Sequence, residues 1–373
     1  MLAACSGGSS AADGISAAAA LGEMIFKDPG LSASGHLSCA TCHDPALGHA
    51  SPFDAPVAFG GALFPNDNSA AASGLRQPPT LRYLRFNTGF RFEGGQPVGG
   101  FFWDGRANTL AEQAKGPFLG VNEMANASIA DVVTRLAQAP YVERFKAVFG
   151  ADILNSPDQA FDRMAYALER YQIEDPDFAP FSSKFDAVVA GRSTFTAAEQ
   201  RGALWFNRRD KGNCAACHPS TPAGRAPGAL FTDFSYDNLG VPRNPLIAAN
   251  QDAGFYDLGL CGPVRTDLVG RNDLCGKFKV PTLRNVALRK VFFHNGRFNR
   301  LEDVVRFYVT RDTSPGTWYP GDAYDDLPVG LRGNVNMSEA PYNRTRGQAA
   351  ALDAGEIADL IAFLNTLTDG FTP

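Results

Sequence analysis

The sequence predicts a mainly α-helical chain built from two similar halves. Apolar residues recur at helical spacing in several segments, and no segment alternates apolar and polar residues for long enough to suggest a sheet core. One short cysteine motif also occurs twice. At 373 residues the chain is long enough for two domains that each bury a core. We therefore expect two helical domains with long ordered loops.

The repeated motif is C-x-x-C-H, at residues 39–43 and 214–218. It is the attachment signature of c-type haem, in which two thiols bond to the porphyrin and the histidine binds the iron. A disulfide or a zinc site at each motif is the alternative, but it leaves both histidines without a role. The residues predicted to hold two covalent haems are Cys39, Cys42, His43, Cys214, Cys217 and His218.

The elements of the first half follow from periodicity and composition. An apolar-periodic helix is predicted from Ala17 to Phe26, directly before the first motif. Residues 52–74 are rich in Gly, Pro, Asn and Ser and predict a loop. Ser128 is expected to cap a helix that begins at Ile129, and a further helix is expected from Pro157 to Gln172.

The domain boundary is predicted within residues 174–193, where Asp-Pro and Pro-Phe steps interrupt the helical pattern. We assign residues 17–185 to the N-terminal domain and residues 186–373 to the C-terminal domain. A Thr-x-x-Glu capping box that begins at Thr196 predicts the helix leading to the second motif. An amphipathic helix over residues 353–367 closes the chain.

An internal repeat extends beyond the two cysteine motifs. Residues 79–82, Pro-Thr-Leu-Arg, return as residues 281–284, and residues 102–106 return in altered form as residues 293–297. The halves are therefore expected to be copies of one haem-binding unit, with different residues where the two irons have different tasks.

The repeat also indicates which residue faces each iron opposite its histidine. Pro117 follows Trp103 by 14 residues, and Tyr308 follows His294 by the same distance. Proline has no ligating side chain, so the first haem is expected to be open on that side, whereas the Tyr308 oxygen closes the second. Without the repeat, Tyr308 would be interpreted as a core residue on the apolar face of a helix.

The net charge and the N-terminal residues indicate which partners and which cellular location to expect. A net charge of -5 disfavours binding to nucleic acid. No apolar run reaches the roughly 20 residues that span a bilayer. Residues 2–5, Leu-Ala-Ala-Cys, resemble the end of a lipoprotein signal, so residues 1–16 are expected to be a lipobox remnant and flexible tether with Cys5 as the lipidated residue. A chance occurrence of this short sequence is the alternative.

The remaining cysteine pair is Cys261 and Cys275. Covalent haem attachment takes place outside the cytoplasm, where paired thiols usually form disulfides. We therefore expect a periplasmic protein with a Cys261–Cys275 disulfide. Two free thiols or an additional metal site are the alternatives.

These motifs together resemble the bacterial di-haem cytochrome c peroxidase superfamily, and within it the MauG-like branch. The resemblance implies two cytochrome c-like helical domains, a peroxide-reactive first haem and a second haem that exchanges electrons. Ordinary members carry Met at the position of Tyr308, whereas MauG-like members carry Tyr. Ordinary members also have a loop histidine that closes the peroxide site, and that place falls near Phe59 here. The supporting segments are residues 102–106, 113–117, 122–124, 231–234, 238–242, 280–285 and 361–364.

The resemblance implies roles for individual residues. Glu123 would move a proton of hydrogen peroxide to the leaving oxygen, and Gln113 would position Glu123 or the water beside it. Trp103 would relay electrons between the haems. Pro117 would leave the first iron open, and the hard oxygen of Tyr308 would favour higher oxidation states at the second. Taken alone, Glu123 would be interpreted as an exposed loop carboxylate and Trp103 as a core aromatic.

The expected function follows from these roles. Hydrogen peroxide would produce a high-valent, bis-Fe(IV)-type state, and this state would oxidise an aromatic residue, a tryptophan, of a periplasmic partner protein by long-range electron transfer. One alternative is a peroxidase that reduces hydrogen peroxide to water with a small electron-donor protein. A third hypothesis is a di-haem electron carrier or sensor without enzymatic activity.

The resemblance further implies a calcium ion between the domains. The family's asparagine ligand corresponds to Gln77 in this sequence. Arg289 and Val291 stand where the family has the threonine and proline whose carbonyl oxygens bind the ion. The chain thus departs from the family at each of these three positions.

Overall fold

The computed structural model describes residues 14–53 and 74–373. Cys5 and Phe59 lie outside the described residues. The helices are α1 (Ala17–Lys27), α2 (Cys39–Cys42), α3 (Leu110–Leu119), α4 (Ile129–Leu136), α5 (Val142–Phe149), α6 (Pro157–Glu174), α7 (Lys184–Val189), α8 (Ala197–Asn207), α9 (Leu301–Thr310) and α10 (Ala354–Asn365). The strands are β1 (Arg91–Glu93), β2 (Gln96–Val98), β3 (Tyr236–Asp237) and β4 (Phe278–Lys279).

The mainly α-helical prediction is confirmed, and the strands are only two or three residues long. Strands β1 and β2 pair antiparallel, as do β3 and β4. A bridge between Val98 and Ser235 and a hydrogen bond from the Gly99 N–H to the Phe234 carbonyl, at 3.0 Å, join the two ribbons. The ribbons thus hold the two halves of the chain together. No described helix is long and apolar enough to cross a membrane.

The apolar core consists of two main clusters, one from each half of the chain. The first lies within residues 21–178, where α1 packs on α6 and α6 contacts α3 and α4. The second lies within residues 185–367, where α8 packs on α10 and α10 contacts α9. Each half therefore buries its own apolar surface, which is the condition for an independent domain.

The position of the domain boundary can be refined from α7. A division after residue 185 would cut this helix, and Phe185 packs in the second cluster. Ser183 caps α7 through a reciprocal capping box with Asp186. We propose that the C-terminal domain begins at Ser183. The sequence does not predict the short helix α7, because the proline steps around it indicate an interruption of the helical pattern.

The two principal helix crossings are equivalent and depend on glycine. A Cβ atom on Gly22 of α1 would lie 2.0 Å from the Ala167 carbonyl oxygen of α6. A Cβ atom on Gly202 of α8 would lie 2.0 Å from the Asp359 carbonyl oxygen of α10. Both separations are far shorter than van der Waals contact, so only glycine permits these helices to approach so closely.

The substitution Gly202→Ala is expected to destabilise the C-terminal domain. The added methyl group must push α8 away from α10, and overpacking of this kind costs about 1–3 kcal/mol. Denaturant unfolding of the haem-loaded protein, followed by circular dichroism, measures the loss. The matched control is Gly316→Ala, because a Cβ atom there meets nothing within 4 Å. Equal stability of the two variants would contradict the proposed close contact.

Local capping signals in the sequence are confirmed as hydrogen bonds. The Ser128 side chain accepts from the Asp131 N–H, and the Thr196 side chain accepts from the Glu199 N–H. Helix α10 is likewise capped by Asp353. Helix ends are thus set by short-range contacts, which explains why the predicted boundaries of these helices lie within a few residues of those observed.

Candidate functional site

Each C-x-x-C-H motif lies at the wall of a large open cavity. The empty space beside the first motif, including its open mouth, is about 2060 Å³, and that beside the second is about 1660 Å³. Both cavities are open to solvent and lined mainly by apolar surface, which suits a large flat group such as a porphyrin. The thiols that face them remain unbonded, which counts against a disulfide within either motif.

The two motif histidines are held in the same way by backbone carbonyls. The Nδ1 atom of His43 lies 3.3 Å from the His49 carbonyl oxygen, and that of His218 lies 2.8 Å from the Phe231 carbonyl oxygen. This contact leaves Nε2 free to bind a metal. Burial lowers the pKa of His43 to about 4 and also lowers the pKa of His218, which favours the neutral, ligating form.

The sequence does not identify His49 and Phe231 as the residues whose carbonyls hold the motif histidines. Both adopt a left-handed backbone, with φ of 54° and 53°, and both also accept a hydrogen bond from the backbone of the Pro-Thr-Leu-Arg segments. The Thr80 hydroxyl donates to the carbonyl of Gly48, which precedes His49, at 2.6 Å. The Thr282 hydroxyl donates to the carbonyl of Leu230, which precedes Phe231, also at 2.6 Å. Because a carbonyl is common to every residue type, no side-chain signal could have revealed this role.

The neutral histidines, the paired free thiols and the large cavities fit one covalent haem in each half. The apolar lining of the cavities suits a porphyrin face, and Nε2 of His43 and His218 would bind the two irons. Zinc would require several convergent ligands in one compact site. Among the described residues, the cluster that could hold a metal consists of Cys217, Asp237 and Glu339, which includes only one thiol of the motif.

The structure brings three of the residues predicted for peroxide chemistry to the first cavity. Gln113 and Pro117 lie on α3, and Glu123 lies in the turn after it; all three line the cavity. The turn is held by the Met124 N–H, which donates to the Pro117 carbonyl at 3.0 Å. Burial raises the pKa of Glu123, while the positive charge of Arg106 opposes this shift. A carboxyl with a raised pKa is suited to accept and return a proton.

Tyr308 occupies the equivalent place in the second half. It lies seven residues after Leu301, the first residue of α9, as Pro117 lies seven residues after Leu110 in α3. Its ring lines the second cavity, 5.7 Å from Phe293 between ring centroids. The Tyr308 hydroxyl forms no hydrogen bond to any described residue, and burial raises its pKa. An iron ion would be needed to stabilise its phenolate form.

Trp103 lies between the cavities and lines both of them. Its indole N–H donates to the Gln77 carbonyl at 2.7 Å, and its own carbonyl accepts from the Lys279 N–H at 2.9 Å. Its neighbour Asp104 is fully buried and bound by Arg76 at 2.6 Å. The ring is therefore held in one orientation between the two haem sites.

The substitution Trp103→Phe is expected to slow electron exchange between the two haems while leaving haem attachment intact. Phenylalanine keeps an aromatic ring but loses the N–H bond to Gln77 and is much harder to oxidise. Stopped-flow spectra after peroxide addition should then show the two haems changing at different rates. Phe90→Leu, which alters an aromatic residue outside both cavity linings, is the control. Unchanged simultaneous kinetics in Trp103→Phe would show that the indole is not part of the electron path.

Cys261 and Cys275 are bonded to each other, with their Cα atoms 5.0 Å apart. The bonded pair is buried and lies in the loop that leads into β4. The backbone N–H of Lys279 in β4 donates to the Trp103 carbonyl. The disulfide therefore stabilises the segment that lies between the cavities.

The residues around Gln77 differ from the calcium ligands that the resemblance implies. The backbone N–H and carbonyl of Gln77 are bound to His294 and Trp103. Arg289, on the segment whose carbonyls would bind the ion, carries a positive charge and lines the same cavity as Gln77. A calcium ion bound close to this guanidinium would be repelled.

Two c-type haem sites that share one tryptophan define a di-haem c-type oxidoreductase. Comparisons with known proteins agree with this class. A family model described as di-haem cytochrome c peroxidase matches residues 16–194. The methylamine utilization protein MauG of Paracoccus denitrificans is 36% identical over 360 residues, covering 95% of this chain and 89% of the relative. The cytochrome c551 peroxidase of Nitrosomonas europaea is 32% identical, covering 77% of this chain and 71% of the relative.

A solved structure gives the same result for the fold. The diheme peroxidase BthA of Burkholderia thailandensis superposes with a TM-score of 0.87 at 39% identity, covering 96% of this chain and 87% of that protein. The chain belongs to the di-haem cytochrome c peroxidase family, in its MauG-like branch. It is therefore an oxidoreductase with two c-type haems that uses hydrogen peroxide together with a protein partner or electron donor.

Proposed function

We propose that this di-haem peroxidase uses hydrogen peroxide to oxidise an aromatic residue, a tryptophan, of a partner protein by long-range electron transfer. The observation that supports the proposal is that Tyr308 lines the second cavity together with His218. A hard oxygen ligand favours a more oxidised iron and suits the second haem to hold an oxidising equivalent instead of merely passing electrons inward.

The first cavity supports direct reaction of the fully oxidised protein with peroxide. Pro117 offers no ligand, so it leaves space for a small oxidant. Glu123 would accept the peroxide proton and deliver it to the leaving oxygen, and Gln113 would orient the peroxide or a water molecule beside it. Trp103 would carry the electron between the two sites. When bound, the two haems supply the iron centres that take up the oxidising equivalents.

A partner protein is favoured over a small substrate by the position of the oxidising centres. With a haem in each cavity, only the first site has space for a small molecule, because Tyr308 closes the second. A donor larger than peroxide would pass electrons to the haems through the protein from its surface. The relative MauG is described as a methylamine utilization protein. That description applies to MauG and is not transferred to this chain.

Periplasmic location is part of the proposal, because c-type haem attachment and the Cys261–Cys275 disulfide both suit an oxidising compartment. A lipid anchor on Cys5 would hold the enzyme at the membrane. Mass spectrometry of the protein purified from membranes of its own host would show the lipid on Cys5, and an unmodified Cys5 would contradict the anchor.

The test of the proposed function is oxidation of a protein partner. The ferric enzyme is mixed with a periplasmic extract and hydrogen peroxide, and tryptophan oxidation is mapped by peptide mass spectrometry. Oxidation at defined tryptophans of one protein, absent with the Tyr308→Met variant, is the expected result. The alternative is a peroxidase with a small electron donor. Fast peroxide turnover that consumes reduced cytochrome c and leaves every partner tryptophan unmodified would establish it.

A further inference from the structure

Arg289 is a charged side chain without a counter-charge in the described part of the protein. It lines the second cavity, and its Nη2 atom donates to the Thr282 carbonyl at 2.5 Å. Its buried Nε atom has no hydrogen-bond partner among the described residues. No carboxylate among these residues pairs with it, and burial lowers its pKa to about 10. A guanidinium shielded from water is destabilising without a counter-charge, so the partner of Arg289 lies outside the described residues.

The other buried arginines show what is missing. Arg76 binds Asp104 and Asp257, Arg284 binds Asp186, and Arg311 binds Asp312. Although burial opposes it, these carboxylates raise the pKa of all three arginines. This fold thus supplies a carboxylate for each of these guanidinium groups. Carboxylates such as Asp237 and Glu339 line the second cavity with Arg289, but none of the described carboxylates forms an ion pair with it.

The occupant of that cavity can supply the missing carboxylate. Haem carries two propionate groups, and a guanidinium binds a carboxylate through two parallel hydrogen bonds. Arg289 and the motif histidine of this half line the same cavity. Arg289 binds the Thr282 carbonyl, and the Thr282 hydroxyl binds the carbonyl of Leu230, the residue before the Phe231 that holds His218. A carboxylate on the edge of a haem bound by His218 would therefore lie within reach of the guanidinium.

We propose that Arg289 binds a propionate of the second haem and supplies the positive charge in the region where the resemblance implies a calcium ion. The chain then needs no calcium there. The inference depends on the second haem and not on which molecule the enzyme oxidises, so failure to find a partner protein would leave it intact.

The test compares reduction potentials in the haem-loaded protein. In Arg289→Gln, the loss of a positive charge beside the haem stabilises the ferric form, so the second haem should shift to a more negative potential while the first is unchanged. Arg289→Lys should restore most of the potential, because the charge remains. The control is Arg306→Gln on the exposed face of α9. Spectroelectrochemical titration of each variant gives both potentials.

The remaining measurements decide the proposal even if Arg289→Gln does not fold. The wild-type protein should contain no stoichiometric calcium, and dialysis against EGTA should leave its spectrum and potentials unchanged. One calcium ion per chain, with altered potentials after its removal, would overturn the proposal. A potential that depends on added chloride or acetate would also overturn it, because the partner of Arg289 would then be a free anion. Equal reduction potentials in the wild type and Arg289→Gln would also overturn the proposal.

Discussion

Replacing Tyr308 by methionine is expected to raise the reduction potential of the second haem and to abolish the reaction in which both haems of the ferric protein respond to peroxide. A thioether is a soft donor that stabilises ferrous iron, whereas a phenolate stabilises ferric iron. The shift should be on the order of a few hundred millivolts, within the roughly 0.8 V that axial ligands span. Spectroelectrochemistry measures the potential, and stopped-flow spectroscopy measures the response to peroxide.

The matched control is Tyr342→Phe. Tyr342 lines the same cavity, with its ring centroid 6.0 Å from that of Tyr308, and it lies over the guanidinium of Arg311. If Tyr308 is the ligand, removing the Tyr342 hydroxyl should change the potential far less than Tyr308→Met does. A full shift in Tyr342→Phe, with none in Tyr308→Met, would show that Tyr342 is the ligand instead.

Replacing Glu123 by glutamine is expected to slow the reaction of the ferric protein with peroxide by roughly 10²–10⁴-fold, the usual contribution of a positioned acid–base group. Glutamine keeps the size of the side chain but cannot accept a proton. Haem attachment and both reduction potentials should stay close to those of the wild type. Stopped-flow rates at a series of peroxide concentrations measure the effect.

The pH dependence gives a second readout for Glu123. The base is active as the carboxylate, so the rate should fall as the pH is lowered through its pKa, and burial raises that pKa above the usual value of about 4.3. This acidic limb should disappear in Glu123→Gln. The control is Glu112→Gln, at an exposed position in the first turn of α3. An acidic limb that persists without Glu123 would assign the proton transfer to another group.

The haem-attachment residues could be predicted from the sequence because their chemistry needs fixed side chains at fixed spacing. Few sites besides that of a c-type haem require two thiols and an adjacent histidine in this order. The internal repeat then places Pro117 and Tyr308 at equivalent positions. The helix caps at Ser128 and Thr196 are predictable for a related reason, since they depend on residues only three positions apart.

The features that escape prediction depend on tertiary contacts. The carbonyls of His49 and Phe231 orient the motif histidines, and a backbone carbonyl is the same in every residue type. Helix α7 is short and is stabilised by the ion pair between Asp186 and the distant Arg284, at 2.8 Å. The sequence shows that Arg289 departs from the family, but only the fold reveals that its charge has no partner among the described residues.

The most direct test of the central claim is titration of the fully ferric protein with one equivalent of hydrogen peroxide and no reductant, followed by optical and EPR spectroscopy. If Tyr308 binds the second iron, the high-spin signal of the first haem and the low-spin signal of the second should disappear together and return together. A ferric protein that does not react with peroxide until one haem has been reduced would contradict this expectation. The first site would then be closed in the resting enzyme, and ordinary peroxide reduction with an electron donor would be the function.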